Sequence, residues 1–149
     1  MPSPNARLPG CRHEELYDVY PDAAQALERL RAAGLAVGAA GNQPAGAEAS
    51  VGALFRPGEL VATSAEWGVW KPDSAFFTRI AEELRLRPSE IAHVGDRVDF
   101  DVLPASEVGM FTVHLRRGPW GVVHSAWEEE TTADATAGNL DEAVDAILA

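Results

Sequence analysis

Short apolar runs alternate with longer stretches of mixed polarity along most of the chain. The apolar runs at 35–40, 60–63, 91–95 and 110–115 are four to six residues long, a length typical of strands buried in a parallel sheet. Between them, apolar residues recur at every third or fourth position, which is the period of an amphipathic helix. The pattern therefore predicts strands and helices in alternation.

Capping residues indicate where two of these helices begin and end. Asp22, with Gln25 three residues later, forms a capping-box pattern before a helix that Gly34 ends. Asp73 or Ser74 begins a second helix, which carries several large apolar residues.

The remaining segments carry weaker signals. Residues 44–55 are an Ala-rich helix candidate, residues 100–108 predict a short helix, and residues 116–127 predict a long loop. Asn139, followed by Glu142, predicts the start of a last amphipathic helix. The residues expected on the inward faces of the stronger helices are Ala23, Ala26, Leu27, Leu30, Phe76, Phe77, Ile80, Ala81, Leu84, Leu140, Ala143, Val144, Ile147 and Leu148.

Strands that alternate with helices predict an α/β fold with a mainly parallel sheet. In such sheets, ligands bind beyond the carboxyl ends of the strands. The segments just after residues 40, 63, 95 and 115 are therefore the places where chemistry is expected.

Composition narrows the classes of partner. The chain has 149 residues, 46% of them hydrophobic, which is enough to fill a core despite a net charge of −11. Nucleic acids and anionic membranes are disfavoured as partners, because both need clustered Lys and Arg to meet phosphate. Cys11 is the only cysteine, which excludes an intrachain disulfide. Because no apolar stretch reaches spanning length and no signal-peptide core is visible, we expect a cytoplasmic protein.

Two carboxylates mark the end of one predicted strand. Asp96 directly follows the run at 91–95, and Asp101 lies in the first turn of the next helix. Carboxylates that converge at a strand end form an oxygen-rich site suited to Mg²⁺, which needs few protein ligands because it keeps several waters. The alternative is that Asp99 or Asp101 simply caps the helix.

Lys71 is the only lysine of the chain. It lies in the loop after the strand at 60–63, at the same edge of the predicted sheet. An ammonium group beside a carboxylate pair would hold a phosphoryl group in place. The alternative is an ordinary solvated lysine.

Four segments follow one another along the chain: YPDAAQALERLRAAGLAVGAAGNQ, WGVWKPDSAFF, IAHVGDRVDFD and GMFTVHLRRG. In this order they resemble the haloacid dehalogenase superfamily of Rossmann-like hydrolases, which are mostly Mg²⁺-dependent phosphatases with a three-layer α/β/α sandwich. The resemblance implies that Lys71 is a catalytic and phosphate-binding residue, Asp96 a metal ligand and Asp101 its supporting acid at the metal site. It covers about residues 17–149 as a partial core domain and leaves residues 1–16 as a flexible arm.

The sequence departs from the family pattern in its first motif. Family members begin with a strand that ends in Asp-x-Asp-x-Thr/Val, whose first Asp attacks phosphorus; no such motif is present, and Asp18 is a poor substitute. We therefore expect a core that lacks the nucleophile strand and the cap and is inactive alone. The missing strand would lie between those at 35–40 and 91–95, which must pair directly, accept the N-terminal arm or take a strand from another chain.

A second departure concerns phosphate binding. The family usually ends its next strand with Ser or Thr, whereas Gly41 occupies the matching position here. The backbone N–H groups of Gly41 and Asn42, or the Asn42 amide, are the candidates to replace that hydroxyl.

Three functional hypotheses follow. The chain is the core of a phosphatase-type hydrolase acting on a small phosphorylated molecule, a non-catalytic module that binds Mg²⁺, phosphate or a partner, or half of a split enzyme. An exposed strand edge would favour association with a second copy or a partner chain.

Other residue types carry weaker signals. His93 and His114 fall inside apolar runs and are expected in the core, and His124 is expected in a loop. The run Glu128–Glu130 is interpreted as a solvated surface. Packing is the expected role of Trp67, Trp70 and Trp120, and contact with a substrate or a second subunit is the alternative.

Overall fold

A computed structural model describes residues 20–149 of the chain. The predicted arm at 1–16, the candidate Asp18 and Cys11 lie outside the described residues. No helix within the described part is long and apolar enough to cross a membrane.

The strands form two parallel sheets, which confirms the predicted α/β class. The strands are β1 (Gly38–Gly41), β2 (Leu60–Thr63), β3 (Ala92–Gly95), β4 (Phe111–Leu115) and β5 (Ala135–Ala137). Strand β1 pairs with β2 with Gly41 opposite Thr63, and the second sheet has the order β3-β4-β5 with Gly95 opposite His114.

Helices connect and cover these strands. They are α1 (Ala23–Ala32), α2 (Ser64–Trp67), α3 (Ser74–Leu84), α4 (Leu103–Glu107), α5 (Gly118–His124) and α6 (Leu140–Leu148), with a π-helical turn at Val98–Val102 and 3₁₀ turns at Ala47–Ser50, Gly52–Leu54, Pro88–Glu90 and Glu128–Thr132.

Helix α3 fits its sequence pattern closely. Its N-cap is Asp73, whose carboxylate accepts a hydrogen bond from the Ala75 N–H at 2.9 Å. The predicted inward residues Phe76, Phe77, Ile80 and Ala81 are buried in one core cluster, and Leu84 packs against it.

Helix α6 covers the three-stranded sheet. Asn139 caps it as predicted, since its side-chain oxygen accepts from the Glu142 N–H at 2.8 Å. Ala143 and Val144 are buried, whereas Leu148, also predicted to face inward, is 42% exposed at the end of the helix.

The capping box predicted at Asp22 is wrong. The Asp22 side chain makes no cap hydrogen bond; it accepts two from the Arg117 guanidinium at 3.0 and 3.1 Å and one from the Leu140 N–H at 2.9 Å. A carboxylate gains more from a paired guanidinium than from a neutral backbone donor. Asp22 therefore ties α1 to the far end of the chain.

The first strand begins later in the sequence than predicted, because the turn that ends α1 extends to Leu35. Gly34 has φ +85°, and the hydrogen bonds from Gly34 N to Arg31 O and from Leu35 N to Leu30 O form a Schellman motif. Leu35 therefore belongs to the helix terminus, so β1 begins at residue 38 instead of 35.

Two weaker predictions also need correction. Residues 44–55 form the two separate 3₁₀ turns instead of an α-helix. The predicted loop at 116–127 contains α5, which begins with Pro119 in its first turn and approaches β4 so closely that a Cβ at Gly121 would overlap the Leu115 carbonyl. Gly121 therefore allows α5 to pack against β4, although a glycine in the sequence is typical of a loop.

The two sheets leave a gap between β1 and β3. Within the part of the chain that the structure describes, these strands belong to different sheets, so the alternative in which they pair directly is wrong. A cavity of about 260 Å³ lies there, lined by Ala40 of β1 and by residues 93–95 of β3. The described fold thus presents two strand edges to one cavity.

Candidate functional site

The cavity collects the residues that the sequence placed at strand ends. Its lining includes Lys71, Asp96 and Asp101, so all three predicted side chains reach one site. The full lining is Tyr20, Ala40, Lys71, His93, Val94, Gly95, Asp96, Asp101, Leu115 and Arg117.

Asp101 is the most highly coordinated side chain of the site. Its Oδ1 accepts from Lys71 Nζ at 2.7 Å and lies 3.0 Å from His93 Nε2. Its Oδ2 accepts from the Arg97 N–H at 3.2 Å. Burial raises the pKa of this carboxyl, but the contacts with His93 and Lys71 outweigh burial and hold the pKa well below its usual range. Asp101 is therefore a buried, ionised carboxylate.

Glycine at position 95 makes room for that carboxylate. A Cβ at Gly95 would collide with the Asp101 carboxyl group. His93 lies two residues earlier on β3 and therefore points to the same face, where its ring also packs edge-on against Phe77 at 5.0 Å. The core placement predicted for His93 missed this polar contact, which the spacing of His93 and Gly95 could have revealed.

Lys71 is held by its backbone as well as by its ammonium group. The Asn42 side chain accepts from the Lys71 N–H at 2.8 Å and donates to the Lys71 carbonyl at 3.0 Å. The Lys71 side chain is only 15% exposed. The alternative of a solvated loop lysine is therefore wrong.

Gly41 and Asn42, both predicted to bind phosphate, have different surroundings. The Asn42 amide binds the Lys71 backbone through both its nitrogen and its oxygen, so its side chain orients that residue. Gly41 lies at the end of β1 with open space around it, because a Cβ there would meet only Gln43 Cγ at 3.9 Å.

Asp96 differs from Asp101 in its surroundings. It follows β3 directly, and its backbone carbonyl lies 3.1 Å from His114 Nε2. Burial, and next the charge of Asp101, raise the pKa of the Asp96 carboxyl. A carboxylate that is partly desolvated beside another anion gains free energy when a cation binds.

The donor set can be compared with the needs of Mg²⁺. Among residues 20–149 no group of three or more His, Cys, Asp or Glu side chains is clustered for a metal. Mg²⁺ is commonly bound by one or two carboxylates with water completing its shell. The raised pKa of Asp96 fits such a ligand, whereas the Asp101 oxygens already hold the donors of Lys71, His93 and Arg97.

The helix-capping alternative does not hold for Asp99. Asp101 does accept from the Arg97 N–H at the start of the π-helical turn, but it also contacts Lys71 and His93, so capping is not its only role. Asp99 instead pairs with the Arg97 guanidinium at 2.8 and 3.0 Å, and this hydrogen bond lowers the pKa of the Asp99 carboxyl. Asp99 is thereby directed to the Arg97 side chain, whereas Asp101 accepts from the Arg97 backbone N–H.

Arg117 and Tyr20 form a wall of the cavity that the sequence did not reveal. The Arg117 guanidinium lies 3.6 Å from the centre of the Tyr20 ring and pairs with Asp22. The hydrogen bond from Arg117 lowers the pKa of Asp22. The two residues are distant in sequence, and only the folded chain brings them together.

Histidine and glutamate placements bring further corrections. His124 is fully buried on α5, where its Nδ1 accepts from the Val98 N–H at 2.9 Å, so the predicted loop position is wrong. Glu128 and Glu129 are exposed as predicted, but Glu130 is only 7% exposed. Its carboxylate contacts His114, which is in the core as predicted.

The tryptophans divide between packing and exposure. Trp67 packs against Phe76 with ring centres 5.4 Å apart, as expected. Trp70 and Trp120 are 54% and 48% exposed, and Trp120 covers the Arg97 guanidinium.

Known proteins are similar to this chain in sequence and in fold. The model of a family described as haloacid dehalogenase-like hydrolase matches residues 11–109. The chain is 38% identical over 87 residues to a glyceraldehyde 3-phosphate phosphatase of Methanocaldococcus jannaschii, an alignment that covers 58% of this chain and 36% of that protein. It is 37% identical over 106 residues to the enzyme of the same name from Methanopyrus kandleri, covering 68% and 45% of the two chains.

A solved structure gives the same result. The crystal structure of a HAD phosphatase from Thermococcus onnurineus matches with a TM-score of 0.73 and 27% identity, over 87% of this chain and 58% of that one. This chain spans less than half the length of the two curated relatives. The family match covers more than half of the chain, and the chain therefore belongs to the haloacid dehalogenase-like hydrolases.

Proposed function

We propose that this chain forms the phosphoryl- and Mg²⁺-binding half of a phosphatase-type active site. The observation that carries the proposal is the pairing of Lys71 Nζ with Asp101 Oδ1 at 2.7 Å in a cavity that Asp96 also lines. A cation and carboxylates at the carboxyl ends of parallel strands are suited to hold a phosphate ester beside a divalent ion.

Each residue has a distinct role in this proposal. Lys71 contacts the phosphoryl oxygens, Asp101 keeps its ammonium group aligned, and Asn42 fixes the loop that carries it. Asp96 is the residue that would hold Mg²⁺, supported by Asp101. When bound, Mg²⁺ supplies positive charge that stabilises the developing charge on a transferring phosphoryl group.

The substrate class follows from the size of the site and from the relatives. The cavity of about 260 Å³ suits a small molecule, and the matched archaeal enzymes are named as glyceraldehyde 3-phosphate phosphatases. We therefore propose a small phosphorylated molecule as ligand.

Catalysis needs a nucleophile that residues 20–149 do not place in the site. The lining carboxylates are Asp96 and Asp101, to which the proposal already gives other roles. We therefore propose that residues 20–149 do not hydrolyse a phosphate ester by themselves.

A second candidate, half of a split enzyme, is favoured by the gap between the sheets. Strands β1 and β3 lie in separate sheets of the described fold, and both line the cavity. Neither strand contains a fully buried residue, whereas four of the five residues of β4 are buried. Two strand edges that no other strand among residues 20–149 covers would accept an added strand from a partner chain, from a second copy or from the N-terminal arm of this chain.

Turnover of p-nitrophenyl phosphate in the presence of Mg²⁺ tests the inactivity of the chain. We expect none above the rate without protein. Turnover that Asp96→Asn abolishes would show that the isolated chain is a complete enzyme, and would contradict its proposed status as half of a site.

Binding of inorganic phosphate, followed by calorimetry, tests the site itself. We expect Lys71→Met to remove binding and Arg79→Met, which deletes a cation from an exposed helical pair, to retain it. Equal binding by both variants would reject Lys71 as the phosphate ligand.

Light scattering tests the open strand edges. A dimer in solution would favour a second copy as the occupant, and a monomer would leave the N-terminal arm or a different chain as the source of the added strand.

A further inference from the structure

A second layer of polar residues lies behind Asp96. His114 is in the middle of the described sheet on β4 and is fully buried. Its Nε2 lies 3.1 Å from the Asp96 carbonyl oxygen, and its Nδ1 lies 2.6 Å from Glu130 Oε2. Because a carbonyl oxygen only accepts hydrogen bonds, Nε2 must be the donor to Asp96. The orientation of this ring therefore fixes the peptide group that follows β3.

Glu130 determines that orientation. Its carboxylate is 7% exposed and also accepts from Arg116 Nε and Nη2 at 2.7 and 2.6 Å. The Arg116 hydrogen bond lowers the pKa of Glu130 against the opposing effect of burial, and the contact with His114 lowers it further. Glu130 is thus anchored on one side by Arg116 and contacts His114 on the other.

The hydrogen bond from His114 to the Asp96 carbonyl lies where β3 ends. His114 is the register partner of Gly95 across the two strands, so its ring reaches over the end of β3 to the next residue. There the strand ladder ends, and the Asp96 carbonyl takes its hydrogen bond from a side chain. A buried side-chain donor at this point restricts the backbone that directs the Asp96 carboxylate into the cavity.

We propose that Glu130 is a positioning residue that acts through His114 on the Asp96 backbone and thereby orients the Asp96 carboxylate. The role rests on the proposed function of Asp96 as a cation ligand. The contact itself is independent of that function, so the two can fail separately.

Nuclear magnetic resonance of the metal-free protein tests the contact. The Asp96 carbonyl carbon and the Arg97 amide nitrogen belong to one peptide group, so both resonances report the hydrogen bond from His114. We expect Glu130→Ala to shift them, and Glu130→Gln, which keeps an oxygen acceptor, to restore much of the original position. Glu129→Ala is the matched control, because it removes an exposed carboxylate from the same run.

The pathway through His114 is tested by combining variants. If Glu130 acts through that ring, Glu130→Ala changes neither resonance further when His114→Phe is already present. An additional shift in the double variant would overturn the proposal, as would Glu130→Ala leaving both resonances where Glu129→Ala leaves them. Should His114→Phe fail to fold, the comparison among the two Glu130 variants and Glu129→Ala still decides the matter.

Mg²⁺ titration separates this inference from the function on which it rests. We expect Glu130→Ala to weaken Mg²⁺ binding about tenfold relative to Glu129→Ala, the effect typical of losing a residue behind a metal ligand. Equal affinities of the two variants would overturn the positioning role. Absence of Mg²⁺ binding in the wild-type protein, with the resonance shifts as expected, would reject the proposed function and retain the Glu130–His114–Asp96 contact.

Discussion

The two ends of the segment from Asp96 to Asp101 carry the same functional group in opposite environments. Asp101 is surrounded by donors and has a lowered pKa, because Lys71 and His93 stabilise its charge. Among residues 20–149 the Asp96 side chain has no hydrogen-bond donor from another side chain; its backbone carbonyl contacts His114, and burial together with the charge of Asp101 raises the pKa of its carboxyl. The charge of Asp101 is therefore stabilised within the described fold, whereas the Asp96 carboxylate is the one that a bound cation would stabilise.

Replacing Asp101 should have the largest effect on stability. Asp101→Asn leaves the ammonium group of Lys71 without its partner in a site where the two side chains are 4% and 15% exposed. Removing one member of a buried ion pair costs about 3–5 kcal/mol. Chemical denaturation should show a loss of this order in the free energy of unfolding. Asp96→Asn should leave that free energy unchanged or higher, and an equal loss in both variants would remove the distinction between the two carboxylates.

Gly95→Ala should displace the Asp101 carboxyl group while every residue that binds it keeps its side chain. The added Cβ collides with the Asp101 carboxyl, and overpacking of this kind costs about 1–3 kcal/mol. Gly52→Ala is the control, because nothing lies within 4 Å of a Cβ there. Similar denaturation midpoints for the two variants would show that Asp101 does not depend on the close approach to β3.

Much of the fold and part of this comparison were predictable from sequence. Periodicity located four of the five described strands and the buried face of α3, because both depend on local patterns of apolar residues. The rule that ligands bind at strand ends brought Lys71, Asp96 and Asp101 to one edge, and the structure brings them to one cavity.

The remainder depended on contacts between distant segments. Asp22 makes no local cap hydrogen bond and pairs instead with Arg117, which is 95 residues away in sequence. Glu130 is buried although its two preceding neighbours are exposed, because the 3₁₀ turn that carries it packs its carboxylate against β4. Strand β5, with the sequence Ala-Thr-Ala, is too short to give a periodic signal.

Replacing Asn42, which binds the Lys71 backbone, should perturb the Lys71–Asp101 ion pair less than replacing Asp101 itself. Asn42→Ala removes two hydrogen bonds to the Lys71 backbone, each worth about 0.5–1.5 kcal/mol. We expect a loss of about 1–2 kcal/mol in stability and weaker phosphate binding in calorimetry. Unchanged phosphate affinity would show that Lys71 is oriented by Asp101 alone.

Acidification should produce the smallest effect, on the support behind Asp96. Arg116 holds the pKa of Glu130 below its value in an unfolded chain, so Glu130 contributes stability above that unfolded value and loses it as the pH falls through the lowered one. Because Arg116 is 46% exposed, we expect Glu130→Gln to cost about 1 kcal/mol or less at neutral pH.

Denaturation as a function of pH measures this contribution. The difference between the wild-type protein and Glu130→Gln should narrow below about pH 4.5, the usual range for a glutamate. Glu129→Gln controls for loss of a charge from the same run. A difference that widens on acidification would contradict the proposed ion pair.

Calorimetric titration with Mg²⁺ of the wild-type protein, Asp96→Asn and Asp99→Asn tests the central claim most directly. Asp99 lies in the same segment but is paired with Arg97, so Asp99→Asn controls for general effects of losing a carboxylate. The account predicts binding by the wild-type protein and Asp99→Asn and none by Asp96→Asn. Undiminished binding by Asp96→Asn, or no binding by the wild-type protein, would contradict it.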